Sequence, residues 1–303
     1  MRKSLLAVLA LTLTLGLVSG ANAHIGSEVY LFFEIADEDV SEIDFNDGSL
    51  DDWIDLVGDP SLDATDFFAD PGVGDGAPYD PADMDYRIWF GWNSTTSTVW
   101  GAMERTDDVY VNEYAGGNMG DTWKWDSVIE FMLDGDHSGG EYGFGAGNCE
   151  GCTEEEINLV NNRQAQQYLV IAESPDDTHA GYLGAGQSWV NAVPYSLGGG
   201  VAFGDSPVTT LVEFYLTPFD NLIFNDPAAS EATNLVAGNT IGFQISVPDW
   251  DVAGTYHAFH TVTGQAATWR YAERFADARL VGVGGDITAV EESSWGRVKA
   301  TFE

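Results

Sequence analysis

Between Asp83 and Tyr142, apolar and polar residues alternate with a period near two, and this constrains the chain more than any other feature. The stretch reads DMDYRIWFGWNSTTSTVWGAMERTDDVYVN and, after a short break, WKWDSVIEFMLDGDHSGGEY. Successive side chains of a strand point to opposite faces, so such runs bury one face of an antiparallel sheet. Asn93-Ser94-Thr95-Thr96 and Gly116-Gly117-Asn118 supply the turns. Each run ends in carboxylates: Asp107-Asp108, Glu130, and Asp134-Gly135-Asp136. Carboxylates at strand ends beside tryptophans suit two tasks, holding Ca²⁺ and stacking on sugar rings.

The rest of the chain agrees with an all-β reading. It has 303 residues, 44% hydrophobic, with 35 glycines and 10 prolines, and few windows of helix-forming residues. We expect one large antiparallel β-sandwich with long loops and one short helix. Thr153 and Glu156 have the spacing of a capping box, so the helix is placed from Thr153 to about Gln167. Strong strands are expected over 28–36, 125–133, 167–173, 208–217, 240–247 and 278–283.

Eleven basic residues face 49 acidic ones, for a formal net charge of −38. That balance repels phosphate backbones and anionic membrane surfaces, so nucleic acid and membrane insertion are not expected. Arg2 and Lys3 precede an apolar run from Leu5 to Val18, and Ala21-Asn22-Ala23 has the form of a cleavage site. Residues 1–23 read as a secretory signal peptide, which places the mature chain outside the cytoplasm, secreted, periplasmic or on the cell surface. Residues 24–285 form the expected domain, and 286–303, of different composition, a tail.

Three acidic groups are candidate metal ligands. Asp134, Asp136 and Glu141 lie in a glycine-rich turn, where several oxygens can converge on a hard cation. An Asx-stabilised turn would use the same residues. Asp249 and Asp251, in P-D-W-D, form a second candidate, and Asp47, Asp51 and Asp52 a third. Strand-end ion pairs or capped turns compete with both.

Of ten tryptophans, Trp123, Trp189, Trp92 and Trp250 are the candidates for sugar contact. Trp89 and Trp92 have opposite strand parity, so one of them faces out or packs under a loop. Cys149 and Cys152, with four glutamates nearby that would blunt thiol reactivity, read as a loop-stapling disulfide. Glu130 and Glu213 sit in similar strands and are the pair to inspect for glycosidase chemistry, although no catalytic motif accompanies them; Glu130, in mid-strand, is expected to point inward or lie at an edge and to need a partner. Cleavage after Ala23 would make His24 the N-terminus. An N-terminal histidine binds Cu(II) through amine and imidazole when a second histidine is near; His137, His179, His257 and His260 are available.

Four segments carry a family resemblance. Asp47-Gly48-Ser49-Leu50-Asp51-Asp52-Trp53 is similar to a D-G-x-x-x-D-W opening. Ile88–Trp92 with Thr98–Asp108, Asp126–Asp134, and Ile241–Asp251 follow in the matching order. Together they resemble the family 9 carbohydrate-binding modules and the wider DOMON-like β-sandwiches, over roughly Asp47 to Leu280. The resemblance implies a jelly-roll or Ig-like sandwich that binds a poly- or oligosaccharide without catalysis, with structural Ca²⁺. Its DOMON side offers a haem-binding electron-transfer protein as the alternative, with Met84, Met103, Met119 and Met132 as axial candidates. No matching histidine motif accompanies them, so haem is not expected.

Overall fold

The computed structural model describes His24 and residues 29–74, 76–124, 128–143, 151–184 and 188–284. In chain order the strands are β1 (Val29–Phe33), β2 (Leu62–Asp63), β3 (Phe68–Ala69), β4 (Met84–Asn93), β5 (Thr98–Asp107), β6 (Ile129–Asp134), β7 (Gln166–Val170) and β8 (Ala180–Tyr182). They continue with β9 (Ser196–Phe203), β10 (Val208–Leu216), β11 (Phe219–Asn221), β12 (Glu231–Ala232), β13 (Thr240–Asp249), β14 (Ala258–Thr261) and β15 (Ala276–Val281). Short helices α1 (Asp37–Val40), α2 (Asp51–Val57) and α3 (Glu154–Asn158) interrupt them.

Two sheets stack into a sandwich. The first runs β1-β15-β13-β6-β7-β8, with β14 and β3 joined to one end of β13. The second runs β2-β4-β5-β10-β9. The pairings are antiparallel apart from β1 with β15, which are parallel. Phe32, Phe90, Phe131, Phe214 and Phe243 fill the space between the sheets as a cluster of stacked and edge-on rings. The period-two rule is met: Ile129, Phe131 and Leu133 of β6 point into this core, while Glu130, Met132 and Asp134 take the outer face. Gly101 gives Phe214 its place, since a Cβ there would lie 2.5 Å from the ring. Gly101→Ala is therefore expected to cost about 1–3 kcal/mol in a denaturant titration; an unchanged midpoint would contradict this packing.

The outer face of the second sheet is also covered. The segment holding α1 and α2 lays Phe45, Leu50 and Trp53 over Trp89, Trp100 and Leu211. Trp92 lies in the inter-sheet core, and Trp89 packs under this segment, its indole N–H donating to the Gly58 carbonyl at 3.0 Å. Close approach is possible because β9 is SLGGGVAF: a Cβ on Gly199 would lie 1.8 Å from the Phe45 carbonyl oxygen.

Three expectations need correction. The expected helix to Gln167 stops at Asn158, although its capping box is formed by Thr153 and Glu156 as expected. Gln166 is drawn into β7 instead, its side-chain amide bonding both the N–H and the carbonyl of Phe219. Helices α1 and α2 were not anticipated; α2 starts where the carboxylate of Asp52 accepts from the N–H groups of Asp44 and Trp53. Glu130 is neither inward nor at an edge: it is buried on the outer face, where Gln167 Nε2 donates to it at 2.8 Å. Residues 1–23 and 286–303, and the helix-flanking Cys149, lie outside the described residues. Among the described residues no helix is long and apolar enough to cross a membrane.

Candidate functional site

One loop, from Asp249 to His257, joins the two chemistries that the sequence suggested. It leaves the end of β13 and returns into β14. Along β13, Ile245 and Val247 enter the core, which puts Gln244 and Ser246 on the outer face. Ser246 is in register with Glu130, and Gln244 with Met132, which pairs in turn with Gln167. The result is a polar row of Glu130, Gln167, Gln244 and Ser246 across three strands. All four are buried, yet neither amide atom of Gln244 nor the Ser246 hydroxyl has a hydrogen-bond partner. Burying such groups unsatisfied costs about 1–3 kcal/mol each, so the Gln244 amide and the Ser246 hydroxyl carry bonding capacity that the described residues do not meet.

The loop that follows β13 carries aromatic side chains. Tyr256 stacks on Trp250 with ring centroids 3.8 Å apart, and its hydroxyl donates to the Trp123 carbonyl at 2.7 Å. The Gly254 N–H donates to Lys124, tying the loop to the Trp123 segment a second time. Burial, with a smaller push from the Glu130 carboxylate, raises the Tyr256 phenol far above its ordinary range. Trp123 itself is 42% exposed, with the Lys124 ammonium 5.8 Å from the ring centroid.

The other side of the loop is acidic. Asp249 is fully buried and neither carboxylate oxygen has a hydrogen-bond partner. One Asp249 oxygen lies within 4.8 Å of ligand atoms of Asp83 and His257, and a second group of that size joins Asp83, Asp108 and Asp251. His257 bridges them, with Nε2 3.3 Å from Asp83 and Nδ1 3.4 Å from Asp251. Burial, then the neighbouring Asp107, push the Asp249 carboxyl up to about 7 against the opposing pull of Arg105. Burial likewise raises Asp83, partly offset by His257. Asp107 is already engaged, taking a short hydrogen bond from Arg105. Asp83, Asp108 and His257 open onto a hollow of about 440 Å³, lined also by Ala77, Pro78 and Asp80. A buried carboxylate with no hydrogen-bond partner, close to Asp83 and His257, is of the kind that could hold a hard divalent cation.

The structure sorts the expected site residues. Asp249 and Asp251 fall in two separate groups that share Asp83, Asp249 with His257 and Asp251 with Asp108. Asp134 and Asp136 share the Ser138 N–H, but Glu141 is drawn away into an ion pair with Arg270. Asp47, Asp51 and Asp52 belong to the turn and helix start around Trp53. Trp123 is exposed; Trp189 is partly buried against Tyr195 and Phe219; Trp92 and Trp250 are buried and present no face for stacking. Glu130 and Glu213 lie on opposite outer faces, with both sheets between them, so they do not flank one cleft. The four methionines are packed in hydrophobic clusters.

Asp83 was not anticipated, Asp108 only as a strand-end carboxylate, and Gln167, Gln244 and Ser246 not at all. A signal for the first two existed: folding the hairpin about its Asn93–Thr98 turn pairs Met84 with Asp107, which sets Asp83 beside Asp108. The Asp108 N–H indeed donates to the Asp83 carbonyl at 2.9 Å. The glutamines and serine needed the β6–β13–β7 register, which no local pattern encodes.

No family model and no curated protein matches the chain. Among solved structures it is similar to a family 9 carbohydrate-binding module from Caldicellulosiruptor kristjanssonii in complex with glucose. The identity is 13%, over 86% of this chain and 100% of that one, with a TM-score of 0.49. The same kind of module in complex with cellotriose aligns at 12% identity over 87% of this chain and 97% of that one, TM-score 0.47. A Bacteroides uniformis protein described as a candidate carbohydrate-binding protein aligns at 12% identity over 84% of this chain and 99% of that one, TM-score 0.44.

Proposed function

We propose that the chain is an exported, non-catalytic carbohydrate-binding protein, with the glycan seated between the Trp123 face and the polar row of β6, β13 and β7. The observations that support this reading are the exposed Trp123 indole, tied through Tyr256 to the loop after β13, and the unmet hydrogen bonds of Gln244 and Ser246 on the strand that feeds that loop. Sugars have C–H faces that pack on aromatic planes and hydroxyls that satisfy amides, hydroxyls and carboxylates. Ca²⁺ belongs to the same proposal: Asp83, Asp108, Asp249 and Asp251 would hold it, and it would fix the loop that carries Trp250 and Tyr256. The leader-like residues 1–23 support export, and Cys149 with Cys152 a staple ahead of α3.

The test is calorimetric titration of the Ca²⁺-loaded protein with neutral gluco-oligosaccharides and with acidic glycans. Trp123→Ala and Gln244→Leu are each expected to weaken binding of the preferred neutral glycan about tenfold or more, the equivalent of ~1.4 kcal/mol. No heat and no melting shift with any glycan would sink the reading. So would binding that ignores both substitutions while the variants melt as the parent does.

A further inference from the structure

At the far end of the same outer face, a second group of side chains is organised around a histidine. Asp134 of β6 and Asp277 of β15 are both in register with Gly242 of β13, one on either side. The His24 ring lies over that glycine; a Cβ on Gly242 would fall 2.0 Å from the ring. Flanked by two carboxylates, the ring is held at both nitrogens. Nε2 is 3.1 Å from Asp134 and Nδ1 is 3.1 Å from Asp277, and the His24 and Asp134 side chains are fully buried. His137, from the turn after β6, closes the group: its Nε2 is 2.8 Å from the same Asp277 oxygen, and the two imidazoles meet edge-on at 4.0 Å.

We propose that His24, His137 and Asp277 form a binding site for a late first-row divalent ion, Cu(II) foremost. One ligand atom from each lies within 4.8 Å of the others, the spread that a single ion can span. Asp134 fixes the tautomer. By accepting from Nε2–H it leaves the Nδ1 lone pair turned toward Asp277 and His137, the arrangement in which an outer carboxylate orients a metal-binding imidazole. Asp134 is itself pinned by the Gly139 N–H at 2.7 Å, so the orienting group cannot swing away. Two imidazole nitrogens and one carboxylate oxygen suit Cu(II), which also heads the affinity order of the divalent ions. Cleavage after Ala23 would add a fourth donor, the α-amine of His24. That amine and Nδ1 belong to one residue and would close a chelate ring. The competing account is a salt bridge in which a protonated His24 joins Asp134 and Asp277 without any metal. That state needs no second histidine, whereas the metal site does.

The test uses the mature chain beginning at His24, titrated with Cu(II) and followed by electron paramagnetic resonance and calorimetry. His137→Asn is the informative variant. His137 has φ 57°, a left-handed conformation that asparagine tolerates, so the turn survives while the imidazole is lost. One equivalent of tightly bound Cu(II) with nitrogen hyperfine structure is expected, together with at least a tenfold loss of affinity in His137→Asn. A second protein carrying one extra residue before His24 should lose a further large factor, because its amine is blocked. Absence of stoichiometric binding, or binding that His137→Asn leaves unchanged, would overturn the site; the latter would direct attention to the Asp83–His257 group instead. An affinity indifferent to the extra residue would overturn the role of the amine.

Discussion

Glu213→Gln should stabilise the protein at pH 8 by roughly 4 kcal/mol while leaving its stability at pH 4 unchanged. Glu213 points to the outer face of the second sheet, beneath α2, and accepts from the Trp53 indole N–H at 2.9 Å. That bond favours the carboxylate, but burial and then the Asp52 carboxylate dominate and lift the group from 4.5 to about 8. The sign follows from comparing the two states. Below pH 4.5 the acid is protonated both folded and unfolded, and the group is fully compatible with the fold. Between 4.5 and 8 the unfolded chain releases the proton and the folded chain keeps it, so stability falls as pH rises, and above 8 the loss is complete. Glutamine has the same shape, keeps an oxygen for Trp53 and never ionises. Melting curves of both proteins across pH 4 to 9 check this; the expected gain at pH 8 is on the order of 10 °C for a chain of this size. Parallel curves for the two proteins would mean that Glu213 ionises freely in the fold.

Asp249→Asn should abolish Ca²⁺-dependent stabilisation. In the parent, Ca²⁺ at a hundred times its dissociation constant is expected to add ~2.7 kcal/mol over the chelated protein, because the ion binds only the folded donor set. Asparagine preserves volume and removes the one buried carboxylate with two unengaged oxygens. In chelator the variant should be at least as stable as the parent, since it loses the repulsion between Asp249 and its neighbours Asp107 and Asp83. The sign of the mutational effect therefore reverses between chelator and Ca²⁺. Scanning calorimetry in both conditions measures it, and an equal Ca²⁺ response in the two proteins would remove Asp249 from the cation site.

What the sequence made legible and what it did not divides along one physical line. Strands whose pattern is self-contained were readable: β4, β5, β6, β10 and β13 all lie where alternation places them. Strand β9 was not, because three consecutive glycines give no pattern; Gly199 admits Phe45, some 150 positions earlier in the chain, while Gly198 and Gly200 admit Ala180 and Ala172. Sites follow the same division. Asp249 and Asp251 were named because two carboxylates stand close in sequence. Their partners Asp83 and Asp108 reach them only through hairpin and sheet geometry. Tryptophan identity suggested stacking, but strand parity and loop cover decided exposure, so Trp92 and Trp250 are buried and Trp123 is open. His24 was singled out for its place after the leader; that Asp134 and Asp277 would receive it depended on the register of three strands.

The parallel pairing of β1 with β15 makes the order of synthesis matter. Val29 is among the first residues of the sandwich to be made and its neighbour Asp277 among the last. Until β15 exists, β1 has no partner within its sheet, and Phe32 has no complete core to enter. Contacts between distant segments slow folding because loop closure precedes any reward. The first sheet of such a chain stays incomplete at this edge until nearly all of it has been made. Such a chain could be threaded through a narrow channel end to end before it closes on itself.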